Sequence, residues 1–323
     1  MRSGSIIGRI VSGLVLLFAV TLFNFMLLHA APGDPAIALT GETGGATQET
    51  LQQIRQLYGL DQPLYWQFLI YAANVLHGDF GNSIYFNAPV TQLILERLRP
   101  TILLIGSSLV SAVSVGLLLG ALAAQKPSGM LSNAISVLSL VGFSAPVFWT
   151  GIILLLVFAS WIPLFPVQGM VDPRVSGGLL PRSLDVLHHL VLPAITLGSI
   201  YLAQYSRLAR TGMIEALGSD YVRTARAKGV SERSVVYKHA LRNAILPVVT
   251  VAGVHVSQLL AGAVLVETVF GWPGMGRLAY ESILRRDVPL MLGILFFAAL
   301  LVISANILTD LVYRAVDPRI GVR

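Results

Sequence analysis

Between Gly212 and Arg242 lies the run Asp220-Tyr-Val-Arg-Thr-Ala-Arg-Ala-Lys-Gly229-Val-Ser-Glu-Arg233, a polar and basic island between two apolar stretches that only lipid accommodates. Arg223, Arg226, Lys228, Arg233, Lys238 and Arg242 outnumber Glu215, Asp220 and Glu232, so the island faces water. Its internal order is helical. Asp220 opens a short helix in which Tyr221, Val222 and Ala225 share one face, and Gly229 ends it, as a glycine in the left-handed C-terminal position does. Ser231 caps a second helix with Glu232 in its first turn and Val235, Val236 and His239 on one face, feeding the next apolar run. A short helix held at a fixed corner is a mechanical lever. The alternative is a basic amphipathic segment lying on anionic headgroups, and periodicity alone does not separate the two.

Working outward, 55% hydrophobic residues, 12% charged residues and a mean hydropathy of +0.74 define an integral membrane protein. The formal charge of +6 suits cationic loops that set orientation, and no nucleic-acid partner is expected. The absence of cysteine removes disulfides, thiolate metal sites and thiol catalysis.

Charge-free windows count the spans, because a helix needs about 20 apolar residues to cross roughly 30 Å of hydrocarbon. Ile10–Gly33, Pro100–Gln125, Val186–Ser206, Asn243–Val266 and Val288–Thr309 each hold one helix. The longer window Pro127–Val171 is expected to hold one more, its tail of Trp161, Pro163, Phe165 and Pro166 leaving the bilayer at the interface. That makes six. With the N-terminus inside, Arg2, Arg9, Lys126, Arg207, Arg210, the island, Arg314, Arg319 and Arg323 all fall on the cytoplasmic side, whereas a seventh helix would place the island outside. The first apolar run has a rival reading as a signal peptide, but its core is too long and His29 suits a cleavage site poorly.

Pro32 to Arg99 is then extracytoplasmic and too polar to span. Short helices are expected there: one capped by Thr47 after the flexible Gly41–Ala46 stretch, with Leu51, Ile54 and Tyr58 on one side and Gly59 at its end. Pro63 opens a second, rich in Tyr65, Trp66, Phe68 and Tyr71; Gly78, Asp79, Gly81 and Asn82 form a turn; Pro89 starts a third. These aromatics form either an interfacial belt or a platform for an extracytoplasmic partner.

The island, continued through Lys238-His-Ala-Leu-Arg-Asn-Ala-Ile-Leu-Pro247, resembles the cytoplasmic loop of permease subunits in bacterial ABC importers of the peptide/nickel class. Further stretches resemble the same subfamily in the same order: Pro32-Gly-Asp-Pro35, Tyr58-Gly-Leu-Asp-Gln-Pro63, Gly78-Asp-Phe-Gly-Asn-Ser83, Glu267-Thr-Val-Phe-Gly-Trp-Pro-Gly-Met-Gly276, Arg286-Asp287 and Asp317-Pro-Arg319. The resemblance covers nearly the whole chain. Arg223-Thr224 and His239-Ala-Leu-Arg242 depart from the wider ABC-importer pattern in the way the peptide/nickel branch does.

That resemblance implies an all-α type I importer permease fold. It also implies a second permease subunit, two separate ATPase subunits that hold ATP and magnesium, an extracytoplasmic substrate-binding protein, and a place in the bacterial cytoplasmic membrane with both termini inside. It makes Asp220, Tyr221, Val222, Arg223, Thr224, Ala225, Arg226, Ala227, Lys228 and Gly229 the helix that meets the ATPase. The implied organisation is residues 1–99 as first span plus extracytoplasmic segment, 100–316 as a five-helix core containing loop 212–242, and 317–323 as a tail. Di- or oligopeptides are the implied cargo, with nickel, glutathione and sugar conjugates as alternatives.

Independently, none of the three lysines, Lys126, Lys228 and Lys238, follows a glycine as a phosphate-binding loop requires, so this chain is not expected to bind ATP. Gly274-Met-Gly276-Arg-Leu-Ala279 fits a dinucleotide pattern only on paper, follows a membrane helix where a strand is needed, and is expected to be a turn. His188 and His189 are adjacent, lack zinc-ligand spacing and are expected in a loop or at the interface, so neither a metal site nor a catalytic residue is expected. Within the spans Gln204, His255 and Gln258 are candidates for a translocation path or for interhelical hydrogen bonds, and Gly116 with Gly120 suggests close packing. Glu267 and Phe270, at the outer end of the fifth span, are candidates for the path's outer end. A stand-alone secondary transporter is the rival class, and the near absence of intramembrane acids speaks against it.

Overall fold

Apolar runs in lipid must satisfy their own backbone groups, and helices do so within one segment. The computed structural model describes residues 6–30, 36, 48–175 and 177–316, and these are helical nearly throughout. In chain order the elements are α1 (Ile6–Ala30), α2 (Gln48–Tyr58), α3 (Leu64–Leu76), strands β1 (Asn82–Ser83) and β2 (Ala88–Pro89), and α4 (Val90–Gln125). Then follow α5 (Met130–Ser144), α6 (Val147–Leu155) with a π-helical turn at Leu156–Trp161, α7 (Leu179–Leu217) and α8 (Asp220–Ala227). The chain closes with the single turn α9 (Glu232–Ser234), a π-helical turn at Val235–Ala240, α10 (Leu241–Val269), α11 (Met275–Leu284) and α12 (Val288–Val316). The expected Thr47 cap, the Gly41–Ala46 stretch, Pro32–Pro35 and the 317–323 tail lie outside the described residues, as do the side chains of Ile54 and Tyr58.

Among the described residues five helices are long and apolar enough to cross a membrane: α1, α4, α7, the run from Glu232 to Val269, and α12. The sixth expected span is broken. Window 127–171 holds two shorter apolar helices, α5 and α6, because Pro146 has no N–H to give and disfavours helical geometry at Ala145. Three other prolines, Pro100, Pro193 and Pro247, sit inside helices without ending them. At 1.5 Å per residue the 39 residues of α7 reach about 58 Å, far past the hydrocarbon layer.

Two further expectations change. Gly274 is the N-cap of α11, so the glycine-rich stretch begins a helix where a turn was expected. His188 and His189 lie within α7: His188 Nε2 meets the Leu164 carbonyl at 2.7 Å, and His189 Nδ1 stands 2.9 Å from the Asp185 carbonyl. Apolar neighbours on α7 favour its continuation over a loop.

The chain divides into two compact units, residues 1–101 with 273–307, and residues 102–272 with 308–323. In the first, Phe68 of α3 packs edge-on to Phe18 and Phe25 of α1, while Tyr65 and Trp66 point outward at 69% and 50% exposure. The two-residue β pair, absent from the sequence reading, is tied to the start of α12. There the buried Asp287 carboxylate accepts from Ser83 Oγ, from Tyr85 N–H and from Leu290 N–H, while the Arg285 guanidinium lies 3.3 Å from the Tyr85 ring centre. Val90, Ile94, Met275, Leu278, Leu290 and Ile294 form the core beneath it.

In the second unit α7 is the central helix, packed by α5, α6 and α10. Glycines set its distance from α4: a Cβ on Gly120 would stand 2.5 Å from Ala209 Cβ and 2.6 Å from the Ser206 carbonyl oxygen. Gly116 faces Tyr205, and Gly198 faces Ser108, in the same way. Arg210 of α7 donates to Ser132 Oγ and to the Pro127 carbonyl, pinning the α4–α5 turn.

Two outcomes test this packing. Gly120→Val lowers stability by about 1–3 kcal/mol through overpacking against backbone that cannot yield, whereas Gly106→Ala, with nothing within 4 Å of the added carbon, leaves it nearly unchanged; thermal melting of the detergent-purified protein distinguishes them. Asp287→Ala strands the Ser83 hydroxyl and two backbone donors and costs about 1–3 kcal/mol, read as a lower melting temperature with faster amide exchange at Tyr85 and Leu290.

Candidate functional site

The island folds as its composition demands, with one face buried and the rest in water. Val222 is fully buried and Ala225 nearly so, packed with Ala121 and Ala124 from the end of α4, Met213 and Ala216 from the end of α7, and Val235, Val236, Ala240 and Ala244 at the start of the next helix. The exposed face of α8 carries Tyr221, Arg223, Thr224, Ala227 and Lys228. Tyr221 was expected beside Val222 and Ala225 but is 42% exposed, because an eight-residue helix has room for a narrow buried stripe only. His239 likewise leaves the buried face and Ala240 takes its place, because the π-helical turn at Val235–Ala240 adds a residue and shifts the register.

The corner at Gly229 is a Schellman closure. Val230 N–H donates to the Ala225 carbonyl at 3.2 Å and Gly229 N–H to the Arg226 carbonyl at 3.0 Å, with Gly229 at φ +76° and Val230 packed on the apolar cluster beside Ala225. A Cβ on Gly229 would meet nothing within 4 Å, so the demand for glycine is conformational and not steric.

A second brace crosses the corner. The Arg226 guanidinium donates to both oxygens of Glu232, Nη2 to Oε1 at 2.6 Å and Nε to Oε2 at 3.1 Å. That hydrogen bond draws the Glu232 carboxyl below its ordinary range and raises Arg226. Both groups precede the charge-free window that begins at Asn243. The sequence places Arg226 in the first short helix and Glu232 in the first turn of the second without pairing them; the signal for the pair is an arginine and a glutamate on either side of a helix-ending glycine. Arg223 and Asp220, 3.6 Å apart and almost fully exposed, add little. Ser231 occupies the N-cap position without a side-chain cap hydrogen bond. Alongside the corner an open cleft of about 680 Å³ is lined by Leu122, Gln125, Glu232, Arg233, Val236 and Tyr237.

The candidate path residues fall in two places. His255 and Gln258 lie on the α10 face that packs on α7: Tyr205 Oη and His255 Nδ1 are 3.0 Å apart, and Tyr201 Oη donates to Gln258 Oε1 at 3.2 Å. Gln204 of α7 is exposed. Glu267 and Phe270 are 0% and 2% exposed, inside the packed end of the second unit, where Trp272 N–H donates to the Glu267 carbonyl and Gly169 N–H to that of Phe270. No group of three or more His, Cys, Asp or Glu suited to a metal occurs among the described residues.

A family model described as "Binding-protein-dependent transport system inner membrane component" matches residues 116–322, and its N-terminal companion matches residues 4–105. The chain belongs to this family. The probable peptide ABC transporter permease y4tP of Sinorhizobium fredii is 41% identical over 98% of both chains. The dipeptide transport system permease DppB of Escherichia coli is 40% identical over 93% of this chain and 94% of its own, and the oligopeptide permease AppB of Bacillus subtilis 37% identical over 98% of both. A solved structure of the MetNI methionine ABC transporter, in inward-facing conformations, matches with a TM-score of 0.54 and 17% identity over 70% of this chain and 97% of that one. That likeness establishes a shared importer-permease fold and nothing more. The resemblance drawn from the island and its companion stretches is thereby met in family and fold class.

Because Arg226 and Glu232 are both exposed, Glu232→Gln leaves the melting temperature nearly unchanged. It speeds amide exchange at Gly229 and Val230 by roughly twofold to fivefold, since the corner loses one of its two braces.

Proposed function

We propose that this chain is one of two membrane subunits of an ATP-driven, binding-protein-dependent importer of di- or oligopeptides, and that α8 with Gly229 is its contact with a separate ATPase subunit. The observation that carries the reading is the seated helix itself. A lever transmits force only if it is stiff, and α8 is held by Val222 and Ala225 in an apolar seat, by the Schellman closure and by the Arg226–Glu232 pair. A segment resting on headgroups has no need of such a seat, since it presents its apolar face to lipid. The relatives named above are dipeptide, oligopeptide and peptide permeases at 37–41% identity over nearly the full chain, which supports peptides as the cargo class.

In this reading the broken helices α5 and α6 together make one crossing, which restores six spans and leaves both termini and the island in the cytoplasm. Residues 1–99 supply the first span and the extracytoplasmic helices, where Tyr65 and Trp66 stand outward toward the membrane surface or the binding protein. Residues 100–316 supply the permease core and 317–323 the tail. ATP and magnesium belong to the ATPase subunits, and this chain performs no catalysis. ATP closes the ATPase pair, α8 carries the movement to the ends of α4, α7 and α10, and the path between paired permeases opens outward. Gln204 and Gln258 border that path with the buried His255 behind them; Glu267 and Phe270, also buried, form the wall of its outer end.

Valine at position 229 meets a backbone at φ +76°, at a cost of about 1–2 kcal/mol for a left-handed L-residue, while asparagine tolerates it better. In the complex reconstituted with ATPases, second permease and binding protein, Gly229→Val lowers transport-linked ATP hydrolysis on the order of tenfold, and Gly229→Asn less. Unchanged hydrolysis in an assembled Gly229→Val complex removes the corner from the lever. Recovery of a fully active transporter without ATPase subunits removes the importer.

A further inference from the structure

Inside the charge-free windows of α7 and α10 the two helices are drawn together: a Cβ on Gly262 would stand 3.1 Å from Leu197 Cδ1. Beside that contact four side chains form a ladder. Tyr205, fully buried, hydrogen-bonds His255; the His255 ring stacks on Tyr201 with centroids 4.1 Å apart and planes 26° from parallel; and the Tyr201 hydroxyl reaches Gln258 at the surface of the unit. The buried end of the ladder is satisfied within the protein. At its outer end Tyr201 is partly exposed and Gln258 exposed, and Gln204, one turn along α7 from Tyr201, is exposed as well.

A face of this kind does not suit lipid. The Gln258 amide spends its oxygen on Tyr201 and retains donors, Gln204 has a whole amide to satisfy, and hydrocarbon meets neither. The remainder of the face is neutral: Val186–Ser206 and Asn243–Val266 contain no Asp, Glu, Lys or Arg, and the exposed stripe of α10 runs through Thr250, Val254, Ala261, Leu265 and Thr268. Amides that both donate and accept, one aromatic hydroxyl, and no charge together match the part of a peptide that is the same in every peptide.

We infer that Tyr201 and Gln258, with Gln204 beside them, form a contact site for the main-chain amides of a passing peptide, and that the buried Tyr205–His255 pair positions Tyr201 for it. The inference rests on the peptide reading above. Tyr205 and His255 are positioning residues that touch no cargo, whereas Tyr201 supplies the aromatic edge and hydroxyl, and Gln258 and Gln204 the amides. Side-chain identity of the cargo goes unread here, because a neutral face exerts no preference among charged side chains, whereas buried hydrogen-bonding groups discriminate against a ligand that fails to pair with them.

The test uses the complete complex in liposomes, with trialanine as probe and the binding protein preloaded and saturating. Tyr201→Phe and Gln258→Leu each reduce maximal trialanine uptake severalfold without altering the concentration of loaded binding protein at half-saturation, and Gln258→Asn restores part of it. The chain has no cysteine, so Gln204→Cys introduces a single thiol. That thiol reacts with a membrane-impermeant maleimide in at least one nucleotide state, and loaded trialanine slows the reaction. Wild-type uptake rates in both Tyr201→Phe and Gln258→Leu overturn the inference. So does a Gln204→Cys thiol that is unreactive in every nucleotide state, which is the result if a helix of the second permease covers this face. Should Gln258→Leu fail to assemble, the labelling arm decides alone. If the wild-type complex takes up a non-peptide cargo and neither trialanine nor any other peptide, the peptide reading fails and this inference with it, a result separate from normal trialanine uptake with unaffected variants.

Discussion

The proposed lever of this protein depends on one apolar contact within the polar island. Val222 and Ala225 are the only buried side chains of α8, and they close over the ends of α4 and α7 and the start of α10. Burying a valine stabilises by about 1.5–3 kcal/mol, which is enough to hold an eight-residue helix that would not be stable alone in water. With the seat in place, the cationic face of α8 has one orientation. Without it, Arg223 and Lys228 would be charges on a loose loop.

The remaining features keep that seat attached to the membrane helices. Along the length of α7 glycines and alanines line its contacts, so α4 and α10 approach its backbone closely. At Gly212 an added Cβ would stand 3.2 Å from Ala244 Cα, so even the stretch of α7 beyond the apolar window lies against the start of α10. Val222 and Ala225 join α8 by side-chain contact to the ends of α4 and α7 and the start of α10, so a rigid displacement of α8 would press on three close-packed helix ends.

How the helix after the corner begins is also informative. After the single turn α9 it is π-helical over Val235–Ala240, which differs in register from the regular helix that follows. Such turns occur often at functional sites. Here it brings Ala240 in beside Val235 and Val236 and leaves His239 only partly buried, whereas a 3.6-residue period would centre His239 between them and put Ala240 at the edge.

Much was legible in the chain alone, because the signals are local. Five spans, the corner at Gly229, the helix opened by Pro63 and the helical hairpin of the island follow from charge spacing, proline and glycine, and these act over a few residues. The family could be read from the island and its companion stretches. Other features needed the fold. The break at Pro146 looked like one helix with a frayed tail, because an apolar window does not say whether its proline ends a helix, as here, or sits inside one, as Pro100, Pro193 and Pro247 do. The Arg226–Glu232 brace, the tie of Ser83 to Asp287 and the Tyr201–Tyr205–His255–Gln258 ladder join residues whose partner is chosen by packing. Glu267 shows the same limit: its place beside a glycine-rich turn marked it as a channel group, and only the packing of Phe270, Trp272 and their neighbours decided that it is buried. Local chemistry determines where a chain turns and which stretches enter lipid; which side chains then meet depends on helix faces that only the assembled unit brings together.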